Sequence, residues 1–177
     1  MDRKDFDDEL KEMYEEGSGV PKALNSDTLK IPLKMVPVVP PIVVERGTSV
    51  LNAAKLMQKE HVGCVLVVEK GKLDGIFTER DILMKVVGSR SDLTKTKVEE
   101  VMTSNPEALQ PDDVLAYALN YMRVGGYRHV PVVDEQERPV GVVSVKNVVD
   151  YLADYFPQDV LSLPPRPIRR TKEREGA

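Results

Sequence analysis

Gly75-Ile76-Phe77-Thr78-Glu79-Arg80-Asp81 returns 66 residues later as Gly141-Val142-Val143-Ser144-Val145-Lys146-Asn147. Each copy holds a glycine, two apolar residues, a hydroxyl, two variable residues and a short polar side chain. The flanks repeat as well. Val65-Leu66-Val67-Val68-Glu69 matches Val130-Pro131-Val132-Val133-Asp134 at an offset of 65, Val50 matches Val114 at 64, and Met57 matches Met122 at 65. One-residue insertions in a helix and a turn account for the drift. A repeated supersecondary unit needs a neighbour to complete its core. Two copies therefore imply a pseudo-twofold axis and a pair of matched clefts.

Working outward, Thr48-Ser49 can cap a helix running to about residue 60, with Val50, Ala53, Ala54 and Met57 inward. Gly63–Val68 reads as a buried strand, Glu69–Lys72 as a turn, and Leu73–Phe77 as a second strand. Thr78 then opens a helix with Ile82, Leu83, Val86 and Val87 on its apolar side. In the second copy, Val98–Thr103 leads in and Pro111-Asp112-Asp113 starts a helix burying Val114, Leu115, Ala118, Leu119 and Met122. Gly125-Gly126 ends that helix. Strands at Arg128–Val133 and Val140–Val143 flank an Asp134–Arg138 turn, and the last helix buries Val148, Val149, Leu152 and Phe156. The fold class is α+β: tandem βαββα repeats with pseudo-twofold symmetry, small sheets packed with helices outside.

The division is an acidic N-terminal helix and linker at 1–32, repeats at 33–97 and 98–156, and a Pro/Arg-rich tail at 157–177 expected to be disordered. Residues 4–16 place Phe6, Leu10, Met13 and Tyr14 on one helical face. That face can dock on its own domain or join a dimer contact. Residues 1–16 carry net −5 and residues 164–177 net +3, within a chain of net −4. This balance argues against nucleic acid as a partner of the whole protein. No apolar run approaches the roughly 20 residues that span a bilayer, so no membrane association is expected. A single cysteine, Cys64, cannot form an internal disulfide, and the acidic start lacks a secretion signal. A cytoplasmic location is expected.

The motifs, in order and twice over, resemble the CBS domain, named for cystathionine β-synthase and usually found as tandem pairs. The resemblance covers about residues 33–156. It rests on Val98–Thr103, on His129–Asp134, and on Gly75–Asp81 with its copy at Gly141–Asn147. It implies two antiparallel three-stranded sheets across the pseudo-twofold. It also implies up to two clefts for an adenosine nucleotide such as AMP, ADP or ATP, with or without Mg. Some relatives take S-adenosylmethionine, NAD or cyclic dinucleotides instead. It further implies a regulatory role, a homodimer and a regulated partner protein of unknown identity.

Thr78 with Asp81, and Ser144 with Asn147, can be explained as capping boxes alone. Their recurrence after a buried strand adds a ligand role, because a helix start offers free N–H groups to an anion. Asp81 can accept from both ribose hydroxyls. Asn147 departs from the family's usual Asp, so unequal clefts are expected. Arg128, His129, Arg80 and Lys146 are the phosphate candidates. Arg128 can equally be an exposed edge charge. The resemblance places the base against Gly63, Cys64, Val65, Val130, Pro131, Ile76 and Val142, with backbone groups near Val65 and Val130 reading its edge. Cys64 reads more simply as a small buried hydrophobe. The segments Met35–Val44 and Met102–Leu109, with the helix starts at Thr48 and Asp112, are expected to close the clefts.

The two histidines, His61 and His129, have no metal-ligand spacing. No nucleophile–base set and no Walker lysine loop can be proposed, so neither catalysis nor a metal site is expected. The leading expectation is a regulatory module that senses an adenosine nucleotide. The alternatives are a structural dimer with empty clefts and a tether acting through the basic tail.

Overall fold

The computed structural model describes residues 26–87 and 92–156. The expected helix at 4–16 and the tail at 157–177 lie outside the described residues.

Repeat one runs β1 (Val43–Glu45), α1 (Val50–Glu60), β2 (Cys64–Glu69), β3 (Lys72–Thr78) and α2 (Glu79–Asp81), which continues as a π-helical turn Ile82–Val86. The Ser49 hydroxyl caps α1 by accepting from the Asn52 N–H at 3.3 Å. The β2–β3 turn is made at Lys70 (φ 53°) and Gly71 (φ 80°), and the left-handed region suits the glycine. Repeat two runs α3 (Val98–Val101), β4 (Thr103–Ser104), α4 (Leu115–Val124), β5 (His129–Val133), β6 (Pro139–Ser144) and α5 (Val145–Ala153). Helix α4 starts at Leu115, later than expected. The Asp113 carboxylate is spent on the preceding turn, where it accepts from the Gln110 N–H at 2.7 Å.

The expected sheets need correcting. One has four strands in the order β1-β2-β3-β4; the other has β5 and β6 with single bridges at either edge, Leu109 to Val132 and Val39 to Val142. Neither sheet is purely antiparallel. β1 runs parallel to β2 because α1 crosses over between them, and Leu109 meets β5 in parallel for the same reason. Both hairpins shift register at equivalent places, after Val67 and after Val132.

Alternation along β2 explains its unbroken apolar run. Val65 and Val67 enter the core of repeat one; Cys64 and Leu66 enter a second layer with Ile76 and Val142, where the two sheets meet. A strand buried on both faces has no polar side to show. The lead-ins exchange cores. Leu33 and Val36, which precede β1 of repeat one, are buried with Leu109, Leu115, Val130, Val143 and Tyr151 of repeat two. Val98, Val101 and Met102 are buried with Phe77 and Val86 of repeat one. Backbone bonds fix the exchange. The Leu115 N–H donates to Ile31 O, while the N–H groups of Val50 and Leu51 donate to Thr96 O and Leu93 O. Each lead-in thus satisfies N–H groups that the first turn of a helix cannot satisfy itself.

The glycines of the repeated motif make room for this crossing. A Cβ on Gly141 would stand 2.4 Å from Val38 Cγ1, and one on Gly75 would stand 2.2 Å from Met102 Sδ. Met102 can swing aside; the β-branched Val38 has fewer rotamers to retreat into. Gly141→Ala is therefore expected to cost about 1–3 kcal/mol in urea unfolding, and more than Gly75→Ala.

Two helix faces differ from expectation. Leu83 and Val87 are exposed, and inward packing is left to Val86 and the half-buried Ile82; on α5, Val149 and nearby Phe156 are exposed, while Val148 and Tyr151 are buried. In the wider π-helical turn, Val86, five residues after Asp81, returns to the buried face; in α5 the buried face carries Tyr151, one turn after Asn147, together with Val148.

Candidate functional site

The motif folds as read. Thr78 Oγ1 accepts from the Asp81 N–H at 3.3 Å, and Asp81 Oδ2 accepts from the Thr78 N–H at 2.9 Å and the Thr78 hydroxyl at 2.7 Å. Asp81 Oδ1 pairs with Lys85 Nζ at 2.7 Å, and that ammonium also donates to Met102 O. In the second copy, Ser144 Oγ accepts from the Asn147 N–H at 3.2 Å. Asn147 Oδ1 accepts from the Ser144 N–H at 2.8 Å and the Ser144 hydroxyl at 2.7 Å. Asp81 and Asn147 are both buried. The two boxes share one geometry, and only the first is charged.

Each box opens on a cleft walled by the other repeat. Cleft A, of about 320 Å³, brings Ile76, Thr78, Arg80 and Asp81 together with Arg128, His129 and Pro131. Arg80 spans it, donating through Nη1 to Gly126 O at 3.2 Å. Cleft B, of about 600 Å³, brings Ser144, Lys146, Asn147 and Val142 together with Gly63, Cys64, Arg128 and His129. Lys146 is tied to Asp150 on its own helix. Val65 and Val130 line neither cleft; their side chains lie in the two cores. The helix starts at Thr48 and Asp112 line neither cleft as well.

The lead-ins do wall the clefts, through Thr103, Asn105, Pro106 and Glu107 in A and Val39, Pro40 and Ile42 in B. Tyr127 in A and His61, Val62 and Glu79 in B were missed. Tyr127 and Val62 occupy the same place in the repeat, just before Arg128 and Gly63, so the internal alignment carried that signal. His61, just after α1, and Glu79, inside the motif, had none.

His129 packs against Gly63: a Cβ there would meet the imidazole at 3.0 Å, with a Glu79 carboxylate oxygen at 3.5 Å. Burial, and then the Arg128 charge, push its pKa below 6.5, against an opposing pull from Glu79. The folded protein therefore resists protonating this ring. As pH falls below the unfolded value of 6.5, the unfolded chain takes the proton first, and stability is lost until the folded pKa is passed. Urea unfolding is expected to show a decline between pH 7.5 and 5.5 that is smaller in His129→Gln. Cys64 is held inert, its thiol pushed up to about 12 by burial and, less, by Glu79. Among the described residues no three His, Cys, Asp or Glu side chains gather as a metal site, and no helix is long and apolar enough to cross a membrane.

The family model for the CBS domain matches residues 33–88 and 98–154. The chain belongs to the CBS domain family. It is 42% identical over 100 residues to the CBS domain-containing protein CBSCBSPB1 of Arabidopsis thaliana, covering 56% of this chain and 18% of that one. The chain thus spans less than a fifth of that relative's length. Among solved structures, the CBS domain pair of protein MJ0100, in complex with 5′-methylthioadenosine and S-adenosyl-L-methionine, superposes with a TM-score of 0.63. It is 29% identical, with 70% of this chain and 96% of that one covered. The CBS domain protein PAE2072 of Pyrobaculum aerophilum, complexed with AMP, has the same fold (TM-score 0.63, 24% identity, 71% and 98% covered). CBS pairs are regulatory modules, and the MJ0100 pair is one that holds adenosine-type ligands.

Proposed function

We propose that this CBS pair is a regulatory sensor that binds an adenosine nucleotide (AMP, ADP or ATP) in the clefts between its repeats. The observation that carries this is cleft A. There a buried carboxylate at a helix start, Asp81, shares one wall system with Arg80, Arg128 and His129. A carboxylate suits ribose hydroxyls, and guanidinium groups suit phosphate oxygens. The MJ0100 complex supports an adenosine moiety as the common element. Mg would accompany ADP or ATP through the phosphates. The role is binding rather than catalysis: the Thr78 and Ser144 hydroxyls are committed to their capping boxes, and burial keeps the Cys64 thiol protonated beside the histidines of cleft B.

Both clefts are built from both repeats, so a ligand spans them and favours one relative angle over another. Such a shift follows from unequal affinity for the two states. The angle would be read by a partner protein or by a second copy. Leu83, Met84 and Val87 after α2, with Val145 and Val149 on α5, are exposed apolar residues that suit a homodimer contact. A cytoplasmic location agrees with the single, unpaired Cys64.

Thermal unfolding with AMP, ADP, ATP, NAD, S-adenosylmethionine and GMP tests the proposal. A ligand at about 100 times its Kd should stabilise by roughly 2.7 kcal/mol. The expected result is a raised Tm with adenosine compounds and none with GMP. An unchanged Tm with all of them at millimolar concentration contradicts it.

A further inference from the structure

Arg128 and His129 are the two residues that line both clefts. They form the wall between A and B. The other cations of the clefts are already engaged: Arg80 donates to Gly126 O, and Lys146 is paired with Asp150. Among the described residues Arg128 makes no ion pair within 4 Å, and it is exposed. The carboxylates around it do not hold it. Asp81 is paired with Lys85 and Glu60 with Lys59, Glu107 of cleft A is hydrogen-bonded with Tyr121, and Glu79 lies beside His129 and Gly63. His129 cannot shift to serve one side freely, because it fills the space a side chain on Gly63 would need.

We propose that the two clefts compete for the Arg128–His129 wall, so that an anionic adenosine ligand in one weakens an anionic ligand in the other. The inference rests on the nucleotide-binding reading and adds its stoichiometry. One guanidinium can form a charge-assisted fork with one phosphate at a time. A phosphate arriving second meets a cation already turned away and a like charge across a thin wall. Adenosine itself, which carries no phosphate, has nothing to compete for. The chain is then a one-nucleotide device with two faces, able to pair a phosphorylated ligand in one cleft with an uncharged one in the other.

Calorimetric titration of the full chain tests this. Val145→Trp fills cleft B and Pro106→Trp fills cleft A, each leaving one intrinsic AMP affinity to be measured. In the wild type the product of the two stepwise affinities is expected to fall at least tenfold below the product of those intrinsic values, about 1.4 kcal/mol of coupling. The same comparison with adenosine should give a ratio near one. Arg128→Gln, introduced into the wild type and both blocked chains, should bring the AMP ratio near one as well. Independent binding of two AMP molecules overturns the inference and leaves the nucleotide reading intact. Equal antagonism with adenosine, or antagonism that survives Arg128→Gln, also overturns it. Absence of AMP binding in every chain, with all of them folded by circular dichroism, overturns both.

Discussion

Leu33→Ala is expected to destabilise the protein by about 3 kcal/mol, within the 2–5 kcal/mol found for burying and then truncating a leucine. The position opens repeat one in the chain, yet Leu33 is fully buried among Leu109, Leu115, Val130 and Val143 of repeat two. Its backbone is pinned there too, the Leu33 N–H donating to Asp113 O at 2.8 Å and the Lys34 N–H to Pro111 O at 2.9 Å. The surrounding core therefore cannot easily collapse into the cavity, which keeps the cost above the bottom of that range. Urea unfolding gives the magnitude, and native-state hydrogen exchange gives the place. Amides of α4, β5 and β6 should lose protection before those of β2 and β3. Val98→Ala, the mirror-image change in a fully buried lead-in valine, should reverse that order. Unchanged protection in repeat two after Leu33→Ala would contradict the exchange of lead-ins.

The second large effect is on ligand binding. Asp81→Ala is expected to weaken AMP binding in cleft A about 100-fold, equal to about 2.7 kcal/mol, because two charge-assisted ribose contacts are lost together. It also removes the capping box and the Lys85 ion pair, so stability should fall by about 1 kcal/mol. Asp81→Asn separates the two roles. Asn147 shows that an amide oxygen accepts the same two bonds, one from the Ser144 N–H and one from the Ser144 hydroxyl, so the cap should survive within about 1 kcal/mol. AMP affinity should still fall about tenfold, since the charge is gone. Titration calorimetry and urea unfolding on both variants measure this. An AMP affinity in cleft A untouched by Asp81→Ala would reduce the residue to a helix cap.

Much of this was readable in the chain before any coordinates. The glycine–apolar–apolar–hydroxyl pattern carried the repeat, and Thr78/Asp81 with Ser144/Asn147 carried the boxes, because both are local. The exchange of lead-ins was not readable. Leu33 and Val98 look alike to any local pattern, and only long-range pairing decides which core each enters. The parallel β1–β2 pair follows from the crossover through α1, which an expectation of antiparallel sheets passed over. The exposed Leu83, Val87 and Val149 were misplaced because Ile82-Leu83, Val86-Val87 and Val148-Val149 offer adjacent apolar residues, and a short helix turns only one of each inward. In the clefts, the motif residues were legible, but the side chains of Val65 and Val130 lie in the cores and not on the cleft walls. Alternation turns their side chains to the core and gives the cleft their neighbours Cys64, His129 and Pro131.

The central claim is that the clefts hold an adenosine nucleotide, and a crystal structure of the full chain grown with saturating AMP tests it most directly. The account predicts AMP in cleft A, its ribose hydroxyls on Asp81 and its phosphate toward Arg128. Clefts left empty at millimolar AMP, or AMP bound only outside them, would contradict it.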